Sequence, residues 1–420
     1  MENTTKREVA KLGERAAIAA ADIGCAPGSA RAKALSAMAE SIPGLREELL
    51  DANDHDVQEA RTAGLAEPLI QRLAITDRVL EYMHNRLHRV AALPDPVGRI
   101  LQGHTRPNDL KVEKVSVPLG VVGIIYESRP TVTTDAAAVC VKSGNAVILR
   151  GGSEARRTNA VLARAMKEAV THAGLPEASL QMLETPGHDA VRHLLHLDQY
   201  IDVLIPRGGK RLIAEVAAES TIPVIKHYEG ICHLYLAADA DPDMAVALAV
   251  NSKCQRVEVC NALEKLLIHR DAAGNLLPRL ADALEEKGVE IRADEACRSI
   301  LPGLKTATTQ DWSTEYLAPI LTVGRVSDDN AAIDHINRFS SGHTDGIVTT
   351  SLQRSETFVR RVNSASVLVN ASTRLSGGGD YGLGAVVGIS TGKLHARGPV
   401  GPDELTSTKW IARGNGHLRA

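Results

Sequence analysis

Apolar residues recur at three- to four-residue steps near the start of the chain, then switch to short unbroken runs. Ala34, Leu35, Met38 and Ile42 fall on one face of a helix over Arg31–Ile42. Pro43-Gly44 interrupts that helix, and Leu45, Leu49 and Leu50 belong to the next one. Residues 4–91 therefore read as mostly helical, until Leu93-Pro-Asp-Pro-Val-Gly98 breaks the pattern. Val112, Val115 and Val117 predict a strand over Lys111–Val117. Short apolar runs follow at Val121–Ile125, Ala146–Leu149, Leu180–Leu183, Ile201–Ile205 and Pro223–Ile225. Helical stretches separate most of them, such as Asn159–Val170 with Leu162, Met166 and Ala169 on one face. Strands alternating with helices predict an α/β fold with a doubly wound parallel sheet.

A second α/β segment runs from about Ile231 to Thr391. It begins with a strand at Ile231–Leu236, a helix at Asp243–Ser252, a strand at Leu266–His269 and a helix at Gly274–Lys287. The tail 395–420 carries Gly398-Pro399 and Gly401-Pro402 but little core-forming pattern. It is expected to pack on the rest of the chain or on a neighbouring subunit.

Composition narrows the class. The 420 residues suit two or three domains, and 44% hydrophobic with 24% charged residues is ordinary for a globular protein. Aromatics are only 3%, so the core must be aliphatic and alanine-rich. Lys and Arg number 48 against 51 Asp and Glu, so no bulk charge attracts nucleic acid or an anionic membrane. No apolar run approaches the ~20 residues that span a bilayer, and the N-terminus reads as a polar amphipathic helix. Six cysteines without a C-x-x-C pair imply a reduced, cytoplasmic compartment. No His/Cys cluster has zinc-ligand spacing along the chain, so no metal is expected.

Three glycine clusters are candidates for chemistry. Gly151-Gly152-Ser153 follows a strand ending at Arg150, and Arg207-Gly208-Gly209-Lys210 follows Ile201–Ile205; each opens a helix. Such turns either serve tight backbone geometry or offer N–H groups and a helix dipole to an anion. Two in one sheet favour a dinucleotide. The third, Ser376-Gly-Gly-Gly-Asp-Tyr-Gly-Leu-Gly384, is not G-x-G-x-x-G and reads as a loop that lines a site. Cys140 and Cys232 lie in apolar elements and read as core. Cys254 and Cys260 flank Gln255–Val259 between a helix and a strand, where a thiol can be exposed near Lys253 and Arg256. Pattern alone does not choose between them. His188, His193 and His196 read as solvated or packed, and Glu154, Arg156 and Arg157 as surface residues opening a helix.

Several blocks, taken in order, carry a resemblance. They are Val117-Pro-Leu-Gly-Val-Val-Gly-Ile-Ile-Tyr-Glu-Ser-Arg-Pro130, Gly144–Gly152, Ile205-Pro-Arg-Gly-Gly-Lys210, Val259-Cys-Asn-Ala-Leu-Glu264, Asn370-Ala-Ser-Thr-Arg374, Tyr381-Gly-Leu-Gly384 and Lys393–Pro399. Together they resemble the gamma-glutamyl phosphate reductase (glutamate-5-semialdehyde dehydrogenase) family of the aldehyde dehydrogenase superfamily. The resemblance implies a Rossmann-like NADP-binding domain over 1–100 and 119–229, and a catalytic domain over 230–394 carrying Cys260. It also implies a small oligomerisation hairpin joined by the C-terminal tail, with oligomerisation elements at 101–118 and 395–420, hence a homo-oligomer. The implied reaction is NADPH-dependent reduction of L-glutamyl 5-phosphate in proline biosynthesis, with a possible transient contact to glutamate 5-kinase.

Carried over by position, Cys260 is the nucleophile and its N–H an oxyanion donor. Ser128 stands where the superfamily has an asparagine donor. Arg150 takes the place of a lysine near the cofactor's adenosine ribose, where a guanidinium suits a 2′-phosphate. Arg207, Gly208, Gly209 and Lys210 fall near the pyrophosphate, and Glu315 at the nicotinamide ribose. Arg129 and Arg374 are candidates for the substrate's anionic groups. The superfamily's water-activating glutamate is replaced by His227, with Glu229 two residues on. The competing readings are an ordinary aldehyde dehydrogenase, a non-catalytic regulatory homologue and, less well supported, a cysteine hydrolase.

Overall fold

Residues buried on both sides of a parallel sheet must be apolar at successive positions, and two such sheets organise the chain. The computed structural model describes residues 2–419. Met1 and Ala420, the outer bounds of the expected domains, lie outside the described residues. The chain divides into two units. The first comprises Met1–Lys226, Gly382–Gly388 and Leu394–Ala420; the second comprises His227–Tyr381 and Ile389–Lys393.

The first unit opens with the helices Glu2–Cys25, Gly28–Gly44, Arg46–Thr62, Glu67–Leu73 and Asp77–Ala92. The predicted stripe Ala34, Leu35, Met38 and Ile42 is buried. Pro43 sits in the last turn of its helix, and the next helix begins at Arg46. The parallel sheet has the order Leu180–Met182, Ala146–Gly151, Val121–Tyr126, Val203–Arg207. Val122, Ile124 and Tyr126 join one core, while Val121 and Ile125 join the core on the opposite face. Helices cover both faces, which is why these strands read as continuous apolar runs. The expected strand at Pro223–Ile225 is only an isolated bridge from Val224 to Leu204. Pro223 has no N–H for a ladder, and the segment is too short to continue one.

A separate antiparallel sheet joins Ile100–Thr105, Lys111–Pro118 and Thr406–Arg413 in that order. Its middle strand was anticipated from its valines. The outer two were implied only by the resemblance, as a hairpin joined by the tail, because they are almost wholly exposed and carry no alternation. The tail is thus a hydrogen-bonded strand, in register from Thr406 opposite Pro118 to Arg413 opposite Lys111. Ahead of it, Val387 N–H donates to Val400 O at 2.9 Å.

The second unit holds a parallel sheet of seven strands. Their order is Lys305–Thr306, Glu290–Ala293, Ile320–Val326, Leu263–His269, Cys232–Leu236, Thr344–Val348, Ser366–Val369. Leu234, Leu236, Leu266 and Ile268 face one core; Tyr235, Leu267 and Ile347 face the other.

Asn145 ties together three parts of the first unit. Its Oδ1 accepts from Gly120 N–H at 2.8 Å, and its Nδ2 donates to Leu405 O and Ser143 Oγ, each at 2.8 Å. Asn145→Ala removes the partner of the Gly120 N–H and of the buried Leu405 carbonyl, at ~1–3 kcal/mol for each uncompensated group, while Ser143 Oγ keeps its bonds to Val139 O and Cys140 O. The expected result is a clear fall in the urea midpoint of the variant with the m-value unchanged.

Candidate active site

Four neighbouring strands of the second unit receive the loops that matter. In sheet order they are Ile320–Val326, Leu263–His269, Cys232–Leu236 and Thr344–Val348. Glu315, Cys260, His227 with Gly230, and His343 each lie just before one of these strands. Neighbouring parallel strands are ~4.8 Å apart, so their entering loops converge at one edge.

Cys260 is half-buried in the loop between the helix Pro242–Cys254 and the strand Leu263–His269. Its carbonyl accepts the Cys232 S–H at 3.2 Å. Burial raises the Cys232 pKa well above the ordinary thiol value, so Cys232 keeps that proton and stays inert. Asn261 Nδ2 donates to Ser376 O at 3.0 Å and Arg374 O at 3.3 Å, fastening the loop to 374–376. Ser376 belongs to the glycine-rich segment expected to line a site. A Cβ on Gly230 would collide with the Cys260 carbonyl, so only glycine permits that approach. The Gly230 N–H donates to Glu315 Oε1 at 2.8 Å.

Two imidazoles stand beside the thiol. His227, Cys260 and His343 each place one donor atom within 4.8 Å of the others. His227 Nδ1 lies 2.9 Å from Ile389 O; a carbonyl only accepts, so Nδ1 carries the proton. The histidine at the position of the missing glutamate therefore does reach the cysteine. Arg374 also feels it: burial lowers the guanidinium pKa, and the Cys260 charge acts in the raising direction. By reciprocity that guanidinium favours the thiolate. Arg374 Nε donates to Gln255 Oε1 at 2.8 Å. Cys254 ends its helix, and burial raises its pKa against the pull of Lys253 and Lys287. The geometry thus distinguishes the two cysteines that pattern left open.

The first unit contains a cavity of about 780 Å³ at the carboxyl ends of its strands. Arg150, Gly151, Gly152, Ser153, Arg156 and Arg211 are among its walls. Burial lowers the Arg150 pKa, with Glu154 and Tyr126 opposing, and its buried Nε has no hydrogen-bond partner. The second glycine turn behaves differently. Gly209 N–H donates to Glu127 Oε2 at 2.9 Å, and Glu127 N–H donates to Arg207 O at 3.0 Å. Arg207 is half-buried, Gly208 and Lys210 are exposed, and none of the turn's residues lines the cavity.

Ser128 has a positive φ of 41° and is buried. Its N–H and hydroxyl both donate to Glu154 Oε1, at 2.5 and 2.8 Å. Glu154 is therefore no bystander on the surface. Arg157 is exposed as expected, and it pairs with Glu59 at 2.7 Å and with buried Asp56 at 3.4 Å. Arg129 is half-buried, and its carbonyl accepts from Val132 N–H at the start of a helix.

His343 and Gly230 gave no signal in the sequence, because each becomes meaningful only through strand order. Glu264 and Lys265 did carry one: two charges inside the apolar strand Leu263–His269 must find partners. Lys265 Nζ donates to Thr314 O at 2.7 Å, and Glu264 Oε1 accepts from Leu317 N–H at 3.3 Å. Both bonds hold the segment bearing Glu315.

The aldehyde dehydrogenase family model matches residues 1–299 and 302–410. A gamma-glutamyl phosphate reductase from Moorella thermoacetica is 48% identical over 412 residues, covering 98% of this chain and 99% of its own length. The crystal structure of gamma-glutamyl phosphate reductase from Thermotoga maritima matches with a TM-score of 0.95 and 39% identity, over 98% of this chain and 100% of that one. The Saccharomyces cerevisiae gamma-glutamyl phosphate reductase structure is 30% identical with a TM-score of 0.55, covering 98% of both chains. The chain belongs to the aldehyde dehydrogenase family, within its gamma-glutamyl phosphate reductases.

Proposed function

We propose that this chain reduces L-glutamyl 5-phosphate to L-glutamate 5-semialdehyde and phosphate through a thioester on Cys260, in proline biosynthesis from glutamate. The observation that carries the reading is the half-buried Cys260, with His227 and His343 donors within 4.8 Å and Arg374 sensing its charge. His227, protonated at Nδ1, has its Nε2 lone pair available to take the thiol proton. The thiolate attacks the acyl carbon, the C–O bond to phosphate breaks, and phosphate leaves with its electron pair. The Cys260 N–H is assigned to the oxyanion. Ser128 can add a donor only when its hydroxyl turns from Glu154. Arg374 and Arg129 are assigned to the substrate's anionic groups.

The cavity of the first unit fits an anionic dinucleotide, since the buried Arg150 Nε there has no hydrogen-bond partner. NADPH held there would supply the hydride that reduces the thioester. Arg150 is assigned to its 2′-phosphate, the Arg207–Lys210 turn to its pyrophosphate and Glu315 to the nicotinamide ribose. The thiohemiacetal then releases aldehyde and regenerates the Cys260 thiolate.

Residues 1–100 and 119–229 are assigned to cofactor binding and 230–394 to catalysis. The antiparallel sheet formed by 101–118 and the 395–420 tail is assigned to homo-oligomer contact; Ile100, Leu101 and Trp410 are exposed on it. No helix among the described residues is long and apolar enough to cross a membrane. Among the described residues the six cysteines are free thiols, which suits a reduced cytoplasm. A separate glutamate 5-kinase is the source assigned to the labile acyl phosphate.

The test is the reverse reaction, followed as NADPH absorbance from NADP+, glutamate 5-semialdehyde and phosphate. Turnover is expected to require phosphate and to vanish in Cys260→Ala. Turnover without phosphate would indicate a hydrolytic dehydrogenase instead. Gly230→Ala should displace the Cys260 backbone and lower kcat about hundredfold in a folded protein. Arg150→Leu should raise KM for NADPH about tenfold or more, with a much smaller change for NADH.

A further inference from the structure

We propose that His227, Cys260 and His343 form a reversible Zn²⁺ site, and that the ion inhibits the enzyme by masking its nucleophile. The inhibitory part rests on the reading of Cys260 as the nucleophile; the metal site itself does not.

The three residues arrive on separate segments, and one donor atom from each lies within 4.8 Å of the others. Zn²⁺ binds imidazole nitrogen at ~2.0–2.1 Å and thiolate sulfur at ~2.3 Å. Tetrahedral ligands at those lengths are about 3.3–3.6 Å apart. A side-chain adjustment of about 1 Å therefore closes the site around an ion.

A second observation concerns the outer nitrogens. Histidines that bind metal through one nitrogen usually donate the other N–H to a fixed acceptor. His227 does so to Ile389 O at 2.9 Å. His343 Nδ1 lies 2.8 Å from Thr344 Oγ1, whose proton goes to Ser376 Oγ at 2.8 Å. Thr344 Oγ1 therefore accepts from His343 Nδ1–H. Both neutral imidazoles are held as the Nδ1–H tautomer, with the Nε2 lone pair available to an ion. One thiolate and two imidazoles select Zn²⁺ over Mg²⁺ or Ca²⁺, which prefer oxygen. Three protein ligands leave a fourth position for water.

Binding exchanges the thiol proton for the metal: the S–H bond gives H⁺, a Zn–S bond forms, and no electrons are transferred.

The test uses the full-length apoenzyme. Co²⁺ replaces Zn²⁺ as a spectroscopic probe, and Zn²⁺ in a chelator buffer is titrated against reverse-reaction activity. One equivalent of Co²⁺ should give a sulfur-to-metal charge-transfer band that Zn²⁺ abolishes. Zn²⁺ should inhibit at the same stoichiometry, EDTA should restore activity, and Mg²⁺ should do nothing. Cys260→Ala should lose the band. His343→Asn and His227→Asn should each weaken metal binding at least about tenfold. Cys254→Ser should leave both band and inhibition intact. A band that survives Cys260→Ala, or affinity unmoved by both histidine variants, overturns the site. A normal band in an enzyme that does not turn over the acyl phosphate substrates supports the metal site and refutes the functional reading.

Discussion

The position of Cys260 depends on a buried ion pair. Lys253 Nζ and Glu264 Oε2 lie 3.4 Å apart, and both side chains are almost fully enclosed. Burial lowers the Lys253 pKa and raises that of Glu264, and each partner's charge opposes the other's shift. Removing one member of such a pair typically costs about 3–5 kcal/mol, because the other charge is stranded. Here the pair also has a geometric consequence. Glu264 Oε1 takes the Leu317 N–H, Glu315 takes the Gly230 N–H, and Gly230 lies against the Cys260 carbonyl. The path begins and ends in the Cys260–Glu264 stretch. Sulfur position, the loop before Cys232 and the Glu315 loop are therefore not independent variables.

The two units solve the problem of binding charge in opposite ways. In the first, the cavity opens at the carboxyl ends of parallel strands, where the Gly151-Gly152 turn and a helix start lie beside the Arg150, Arg156 and Arg211 side chains. In the second, the chemistry gathers at the amino ends, where loops enter the strands. Helix N-termini do not converge there, so charge must come from side chains. Arg374 supplies it to Cys260, and two imidazoles supply proton-transfer capacity beside it.

This difference explains what could be read from the sequence. Buried parallel strands are continuous apolar runs, so all four strands of the first sheet were visible, as were the glycine turns that follow strands; of the seven strands in the second sheet only Cys232–Leu236 and Leu263–His269 were read. Ile100–Thr105 and Thr406–Arg413 were invisible to pattern because their partners, not their side-chain periodicity, make them strands. Cys260 could be singled out only through the Val-Cys-Asn-Ala-Leu-Glu resemblance; pattern left it level with Cys254. His343 had no local signature at all. Its role arises because the strand Thr344–Val348 is inserted next to Cys232–Leu236, a pairing that no local window of sequence contains. For the same reason the spacing rule for zinc ligands missed the trio with Cys260. Spacing detects ligands on one hairpin or helix, whereas these converge through strand order.

Glu127 and Glu154 show the cost of keeping anion sites ready. Gly209 N–H is engaged by Glu127, and Ser128 by Glu154. Ser128 is buried, so its N–H needs the Glu154 carboxylate, whereas Gly209 and Glu127 meet at the exposed surface. Arg150 differs, because its buried Nε is left without a hydrogen bond while Glu154 offsets only part of the burial penalty on its charge. A phosphate meeting Arg150 therefore gains an uncompensated cation, whereas one meeting the Gly209 turn must first displace a carboxylate. The proposed assignment of the 2′-phosphate to Arg150 follows from this difference, and the part proposed for the Gly209 turn would require rearrangement first.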